Sequence, residues 1–280
     1  MREGKEVKTK FYGIALLVSV LMPIGQTQAQ DAHPFLTSTF IVGAGAFFPT
    51  QGLDLSANGT IPGDEVDFDS TLGVDDSEVT PIASLRWNIT DKWSMWGQWW
   101  KTNSSGSDTL NEDVVWDGIT FEAGSNVQAG ADTTIFRFLV GREFFSGPQH
   151  EFGLGVGLHW MKLGAYIEGE VFMPGGGTEF RRGDADVSAP LPDIGLWYYY
   201  SPAPRWLLTA RVDWLSANVG KYDGSLWDAA AGVNYQFSEH FGIAVEYVFF
   251  SLDVNVDDGD WRGGANIKNN GPVVALTANW

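Results

Sequence analysis

The sequence has no cysteine, only four histidines, and about half as many basic as acidic residues. Without cysteine, disulfide cross-links and thiolate metal sites are excluded. The 17 Lys and Arg residues against 35 Asp and Glu residues give a formal net charge of -18 at pH 7. Such a chain is repelled by nucleic acids. We therefore expect no nucleic-acid partner, and no cofactor motif is present.

Beyond the N-terminal segment, the sequence lacks any apolar run long enough for a membrane-spanning helix. The N-terminal segment itself has three lysines before a mostly apolar stretch, residues 11–24, and small residues at Thr27 and Ala29. This is the pattern of a secretory signal peptide. We predict a signal peptide at 1–29, cleaved after Ala29, and one domain at 30–280. The alternative is an uncleaved signal anchor, which the short apolar stretch and Pro23 disfavour.

Aromatic residues are abundant, with 13 tryptophans, and apolar residues often recur at every second position. From Phe152 to Trp160 every second residue is large and apolar, and the residues between are three glycines and His159. Because successive strand side chains point to opposite faces, one face is apolar and the other is nearly bare. This favours a barrel wall with lipid outside and a crowded lumen inside.

The same alternation predicts ten strands, at residues 37–48, 79–89, 93–101, 133–145, 151–166, 191–200, 205–215, 226–237, 241–252 and 272–280. Four short turns, near Asp91, Gly147, Pro202 and Glu239, alternate with five longer segments, as in outer-membrane barrels. We therefore predict an all-β, antiparallel up-and-down transmembrane barrel of ten strands, with eight strands as the alternative. The first long segment, 49–78, is acidic without Lys or Arg, and we expect it to be solvated.

The last strand carries apolar residues at alternate positions and ends on an aromatic residue: Val274, Leu276, Ala278 and Trp280. With the signal peptide and the alternating strands, this ending makes the chain resemble Gram-negative outer-membrane β-barrel proteins of the OmpA-like or OmpW-like superfamily. The resemblance implies an outer-membrane location, contact with membrane lipid and lipopolysaccharide, and recognition of these four residues by the barrel-assembly machinery. We expect no peptidoglycan-binding domain.

The face assignment places eight ionisable side chains in the lumen: Arg86, Arg137, His159, Asp193, Arg211, Asp213, Asp228 and Glu246. Charges inside a narrow barrel are costly unless they are paired. We predict a structural network that fills the lumen, in a protein with a structural or surface role. We also expect the glycines facing inward on the fifth strand to leave room for Arg137, Arg211 and Glu246. The alternative function is a narrow channel for small solutes.

A third class of function is an outer-membrane hydrolase, omptin-like or lipid A-modifying, with its site at the outer rim. Omptins place acidic pairs and an Asp–His pair there. His159 is the only histidine inside a predicted strand, and Asp193 or Asp213 beside it would allow general-base chemistry. No serine lies within two residues of His159, so a His-x-Ser deacylase pattern is absent. We assign no catalytic residue.

The acidic stretch after the ninth strand begins like a calcium-binding loop, with Asp253, Asn255 and Asp257. Its glycine comes one position late, and Gly264 stands where the loop needs a glutamate. We expect no specific metal site here. Weak binding of divalent cations, bridging loop carboxylates to lipopolysaccharide phosphates, is the hypothesis that remains.

Overall fold

The structure is a computed structural model that describes residues 32–57, 66–68, 71–74, 79–173, 175–219, 222–257 and 262–280. The chain divides into two units, 1–30 and 31–280, and all described residues belong to the second. The predicted signal peptide, 1–29, lies outside the described residues, so its cleavage stays a prediction. No helix among the described residues has the length and apolar character needed to cross a membrane.

The described residues form one short helix and fourteen strands. The helix is α1, Pro34–Thr37. The strands are β1 Phe40–Phe47, β2 Thr50–Ala57, β3 Val66–Asp67, β4 Thr80–Asn88, β5 Trp93–Thr109, β6 Val114–Trp116, β7 Ile119–Phe121, β8 Asn126–Ser146, β9 His150–Phe172, β10 Thr178–Ala203, β11 Trp206–Val219, β12 Tyr222–Gln236, β13 Phe241–Asp257 and β14 Arg262–Asn279.

Ten of these strands form a closed antiparallel ring in the order β1, β4, β5, β8, β9, β10, β11, β12, β13, β14, and β14 pairs back to β1. Each of the ten strands is thus paired on both sides over part of its length, so the ring has no edge strand, which is what a β structure in lipid requires. The ten-stranded barrel is confirmed, and the eight-stranded alternative is wrong. The strand β2 pairs with the same edge of β14 as β1 does, but further toward the start of β14. The short β3 pairs with β2.

The outer surface of the ring is apolar between two aromatic rings. We call Trp99, Phe136, Trp160, Trp214 and Trp227 the upper aromatic ring, and Phe40, Trp87, Phe152, Trp206 and Trp280 the lower one. Between them, outward residues such as Val156 and Leu276 are 69% and 64% exposed. On β9 the rings are eight residues apart, or roughly 20 Å along the barrel axis after allowing for tilt. This is close to the height of a lipid-facing band.

The two ends of the barrel differ. The tight-turn end has the short turns before β5, β9, β11 and β13. The start of β1 and the end of β14 lie there too. At the long-loop end, β5, β8, β9 and β10 continue well beyond the upper aromatic ring, so these strands are longer than the sequence predicts. Above the ring both faces become polar in places, and the two-residue alternation that marks a strand is lost.

The expectation of a solvated segment at 49–78 is wrong for much of its described part. The strand β2 buries Leu53 and Leu55, and further along Phe68, Leu72 and Val74 are buried as well. These side chains join an apolar core that fills the barrel near the long-loop end. Most of the acidic residues in the segment lie outside the described residues.

A small hairpin also enters this apolar core. β6 and β7 are joined by Asp117 and Gly118, both with positive φ, 48° and 71°. Two such residues form the turn that suits a two-residue hairpin. The hairpin buries Trp116, whose Nε1 donates to the carbonyl oxygen of Gly183, 3.2 Å away on β10.

The glycines of β9 make space for other side chains than expected. A Cβ at Gly153 would lie 2.1 Å from the Trp197 ring, and one at Gly157 would lie 2.4 Å from the Asp193 carboxylate. Leu139 lies against Gly155. The glycine face therefore accommodates an indole, a leucine and a carboxylate, rather than Arg137, Arg211 and Glu246.

The helix α1 lies inside the tight-turn end of the lumen. Phe35 meets the Tyr199 ring edge-on at 5.3 Å, and Phe35 and Leu36 pack against a cluster that contains Trp96 and Trp197. His33 caps the helix, and its Nδ1 accepts from the Phe35 N–H at 3.1 Å. Burial of the imidazole lowers the pKa of His33 to about 4, which the backbone of Arg205 opposes only partly.

Even one added methyl group at Gly153 should destabilise the barrel, because Trp197 cannot retreat without losing its hydrogen bond to Glu151. We expect Gly153→Ala to cost about 1 to 3 kcal/mol of unfolding free energy. The control is Gly97→Ala on β5, where nothing lies within 4 Å of the added Cβ. Urea unfolding of the refolded barrel measures both, and equal stability of the two variants would contradict the packing account.

Acidification should loosen α1. A released His33 takes up a proton below its ordinary pKa near 6.5, whereas the buried ring stays neutral down to about 4. The stability of the inserted helix is thus full above pH 6.5 and falls as the pH drops toward 4. We expect the hydrogen-exchange protection factor of the Leu36 amide to fall on the order of tenfold between pH 7 and pH 5.

The matched control is His33→Gln, which keeps an acceptor but does not titrate. Its Leu36 protection should not change over the same pH range. A wild-type protection factor that is independent of pH would show that His33 does not govern the insertion of α1.

Candidate functional site

The candidate site is the set of ionisable side chains inside the ring. The eight predicted residues lie on seven strands: Arg86 on β4, Arg137 on β8, His159 on β9, Asp193 on β10, Arg211 and Asp213 on β11, Asp228 on β12 and Glu246 on β13. Each stands on the face of its strand opposite the exposed apolar residues. The structure divides them into a lower group, a middle group and Glu246.

The lower group surrounds Arg86, which is 2% exposed. Its Nη2 donates to both carboxylate oxygens of Glu151, at 2.7 and 2.8 Å, and to Glu143 at 3.3 Å. Trp197 Nε1 also donates to Glu151, at 2.6 Å. The guanidinium faces the rings of Phe35, Trp96 and Tyr199. The group therefore joins β4, β8, β9, β10 and the helix α1.

Glu143 and Glu151 are absent from the lumen residues predicted from sequence. Their positions in the sequence nevertheless indicate that they face the lumen. Glu143 has the same parity as Arg137 along one strand, and Glu151 has the same parity as His159 along the next. Because parity decides the face of a strand, both glutamates could have been placed in the lumen beside the arginines.

The middle group is built on Asp213, which is fully buried. Arg137 donates to it through both Nε and Nη2, the second at 2.9 Å. Arg211 on the same strand as Asp213 lies 3.3 Å from Asp213, 2.9 Å from Asp228 and 3.0 Å from Gln98. The two guanidiniums thus connect β5, β8, β11 and β12 across the lumen.

His159 completes the middle group. Its Nδ1 lies 2.8 Å from Asp193 and its Nε2 lies 3.1 Å from Asp228. An ionised carboxylate only accepts hydrogen bonds, so two ionised partners require both ring nitrogens to donate. The middle group thus brings three carboxylates, those of Asp193, Asp213 and Asp228, together with two guanidiniums and one imidazole.

Glu246 lies apart from these groups, on the wall of an internal cavity of about 110 Å³. It accepts a hydrogen bond from Thr209 at 2.9 Å. The cavity reaches Arg86 at one side and Arg137 and Arg211 at the other, and much of its wall is glycine and alanine. The volume suits a few water molecules.

A metal ion is the first cofactor to consider in the middle group. His159, Asp213 and Asp228 each place one ligand atom within 4.8 Å of the others. However, Asp213 is held by two guanidiniums and Asp228 by one, as well as by the imidazole. Two arginine charges at this distance oppose a cation, so the residues fit an ion-pair network better than a metal site.

General-base chemistry at His159 would need a route for a substrate. The ring is 0% exposed. Toward the long-loop end it is followed on its own strand by the buried Met161, Leu163 and Ile167, and toward the tight-turn end the lower group and α1 fill the lumen. The described residues leave no opening to the imidazole, so the arrangement can hold charge but cannot receive a large substrate.

The other residues singled out in the sequence lie elsewhere. Asp253 accepts from the amides of Asn255 at 3.1 Å and Asn266 at 3.2 Å, so both its oxygens are engaged; the side chain of Asp257 lies outside the described residues. In β14, Val274 and Leu276 are exposed on the outer surface, as is the terminal Trp280, while Ala278 is half-buried.

Comparison of the sequence with protein-family profiles and with curated proteins finds no match. Solved structures with a similar fold include the outer membrane protease OmpT from Escherichia coli, at 13% identity and a TM-score of 0.56, covering 86% of this chain and 97% of that one. The toluene transporter TodX from P. putida gives 10% identity and 0.38, covering 89% and 93%. The outer membrane protein OprG from Pseudomonas aeruginosa gives 11% and 0.33, covering 90% and 98%.

At these identities the likeness concerns the fold alone, and OmpT is the one among the three whose TM-score exceeds 0.5. Its barrel aligns over nearly its full length with this chain. The neighbours are outer-membrane β-barrels with different roles, and an OmpA-like or OmpW-like membership is not specifically supported. The chain has the fold of an outer-membrane β-barrel.

Proposed function

We propose that this protein is an integral outer-membrane barrel of a Gram-negative bacterium with a closed lumen, and that its role is structural or surface-exposed. The observation that carries the proposal is the filling of the lumen at three successive levels. The lipid-facing band between the two aromatic rings supports the membrane location, and the signal-like N-terminus supports export.

Two neighbouring strands that line the lumen, β8 and β9, give the order of the levels. From the tight-turn end, β9 presents Glu151, then His159, then the buried apolar residues from Met161 to Val171. The strand β8 follows the same order with Glu143, Arg137 and the stretch from Ile135 to Val127. A layer of aromatic side chains and ion pairs is thus followed by the middle group and then by an apolar core.

A small-solute channel is disfavoured by this order. A conducting path needs continuous polar space, and the cavity beside Glu246 ends against the paired charges and the apolar core. An apolar constriction excludes ions because it does not hold water. A barrel of ten strands also encloses little volume once its side chains are placed.

A hydrolase is disfavoured by the burial of the middle group. His159 and its two carboxylate partners have the composition of a general base, but they lie inside the filled lumen rather than at the rim. The role that suits them is structural. They link β9, β10 and β12 in the way that Asp213 links β8 and β11.

The partners follow from the same location. Lipid and lipopolysaccharide would contact the band between the aromatic rings, and the outward residues Val274, Leu276, Ala278 and Trp280 would be presented to the barrel-assembly machinery. Two lysines lie directly above Trp99 and Trp160: Lys101, which is partly exposed and pairs with Asp132, and Lys162, which is exposed. They are placed for contact with phosphates at the membrane surface. Divalent cations at Asp253, Asn255 and Asp257 stay a hypothesis.

The closed lumen is tested in planar bilayers. Purified wild-type protein should give no discrete conductance steps, and neither should Phe35→Ala, because the apolar core remains in place when the lower level is weakened. A general porin recorded in the same chamber is the positive control. Stepwise conductance by the wild type would refute the proposal, whereas conductance by Phe35→Ala alone would assign closure to α1.

The structural role of the middle group is tested by Asp213→Asn. The substitution leaves Arg137 and Arg211 buried beside a neutral amide, and we expect a loss of about 3 to 5 kcal/mol of unfolding free energy. Glu179→Gln is the control, because the exposed ion pair between Glu179 and Arg181 contributes less than about 1 kcal/mol.

The readout is the urea midpoint of the unfolding that abolishes heat-modifiable migration on a gel. Similar urea midpoints for the two variants would mean that the network does not stabilise the barrel.

A further inference from the structure

Above the membrane band, the two sides of β10 are paired over different lengths. On one side, β10 pairs with β9 without interruption from Thr178 to Tyr200. On the other side, pairing with β11 begins only at Ile194, opposite Trp214. Among the described residues, no strand pairs with the second side of β10 from 178 to 193.

The direction of the backbone groups on this edge follows from the register. Ser201 N donates to the Gln149 oxygen at 2.8 Å, so odd-numbered residues of β10 bond toward the neighbouring strand β9. Because the register is unbroken, even-numbered residues point their N–H and C=O groups to the open side. Pro190 and Pro192 are even-numbered, and their missing N–H groups cost the β9 ladder nothing.

The two prolines remove hydrogen-bond donors only from the part of the edge nearest the membrane. Beyond them, no described strand pairs with the open-side N–H and C=O groups of Phe180, Arg182, Asp184, Asp186 and Ser188, which span nine residues. Edge strands of this kind are templates for an added strand, which binds through main-chain hydrogen bonds and is selected by side chains at alternate positions.

The two flanks of the edge differ in chemistry. On the lumen side stand Ala185, Val187 and Ala189, and Val187 is 47% exposed although its partner Leu163 on β9 is buried. On the outer side stand Asp184 and Asp186, both exposed. An added strand would therefore cover an apolar flank with one set of its side chains and meet carboxylates with the other.

A cavity of about 340 Å³ adjoins the outer flank. Gly164 lies on the floor of this cavity. A Cβ added to Gly164 would lie 2.7 Å from the Asp132 carboxylate and 3.0 Å from the Asp186 carboxylate. Both carboxylates therefore lie over the glycine. Asp132 is paired with Lys101, and Asp184 with Arg182. In the described part of the chain Asp186 has no cationic partner.

We propose that the edge of β10 from Phe180 to Ser188 binds an extended peptide segment of another protein as an added strand, one that alternates apolar residues with Lys or Arg. The apolar residues cover Val187, and a basic side chain reaches the cavity beside Asp186. A second copy of this chain fits less well, because antiparallel pairing of the nine-residue edge with itself places Asp184 opposite its own copy. The inference does not depend on the closed lumen, since the edge lies in the outer wall.

The test uses the full protein in detergent and a labelled nine-residue peptide of alternating Val and Lys. Fluorescence anisotropy should show saturable binding, and a peptide of the same composition with the valines and lysines in two blocks should bind at least tenfold more weakly. Methylation of alternate peptide nitrogens should weaken binding similarly, because it removes the donors without changing the charge.

Substitutions at two positions separate the contribution of the backbone hydrogen bond from that of the charge. Ser188→Pro removes one edge N–H and should weaken binding about threefold to tenfold, whereas Ser188→Ala keeps the N–H and should not. Asp186→Asn should weaken binding and reduce its dependence on salt. Unchanged heat-modifiable migration shows that each variant is folded.

Hydrogen exchange gives an independent readout. In the free protein the amides of Arg182, Asp184 and Asp186 should exchange fast and those of Gly183 and Ala185 slowly, and the peptide should slow the first set. Equal protection of both sets in the free protein would overturn the proposal, as would binding that is indifferent to Ser188→Pro and to peptide order. A dimer in sedimentation that Ser188→Pro abolishes would overturn it in favour of a second copy.

Discussion

The pairing of β1 with β14 is the interaction on which the other features of this barrel depend. Phe40 and Trp280 exchange backbone hydrogen bonds at 2.9 and 3.1 Å, and the register continues to Phe47 and Val273. In lipid an unpaired strand edge leaves several buried polar groups unsatisfied. Once ten strands are closed in this way, the lumen is narrow, and every charged side chain that points inward must find a partner there.

The same need to satisfy backbone hydrogen bonds explains why strand pairing is complete in the membrane and incomplete above it. Below the upper aromatic ring each strand is paired on both sides, because lipid offers no hydrogen bonds. Above the ring, water can satisfy a free N–H or C=O, and β10 separates from β11 there. The wall of the barrel therefore changes character at Trp214: it is sealed in the membrane band and has an open edge outside it.

Much of this architecture could be predicted from the sequence because a membrane barrel repeats one simple pattern. The ten strands, the four tight turns and the faces of strands such as β4 and β9 follow from two-residue alternation. The eight lumen residues follow from the same rule. Glu143 and Glu151 obey it too, because each has the parity of the lumen-facing residues on its strand, close to the turn that joins β8 and β9.

Other parts depend on contacts that no local pattern reports. The helix α1 is stable because Phe35 and Leu36 find an aromatic cluster at the tight-turn end, and nothing near them in sequence indicates that. The burial of Leu53, Leu55 and Phe68 within 49–78 has no local signal, because they are sparse among acids and their burial needs the apolar core of the completed barrel. The side chains that fill the space above Gly153, Gly155 and Gly157 cannot be predicted from β9 alone, because they come from neighbouring strands.

The position of α1 has a consequence for how the protein assembles. Strands that are neighbours in sequence can pair as hairpins, but β1 and β14 are separated by nearly the whole described chain, and contacts at such separation form slowly. The helix that precedes β1 packs on Tyr199, which belongs to a strand halfway round the ring. Its docking site is therefore complete only when β5 and β10, which carry Trp96 and Trp197, have met across the lumen. The order of this short helix is thus a consequence of strand assembly and cannot precede it.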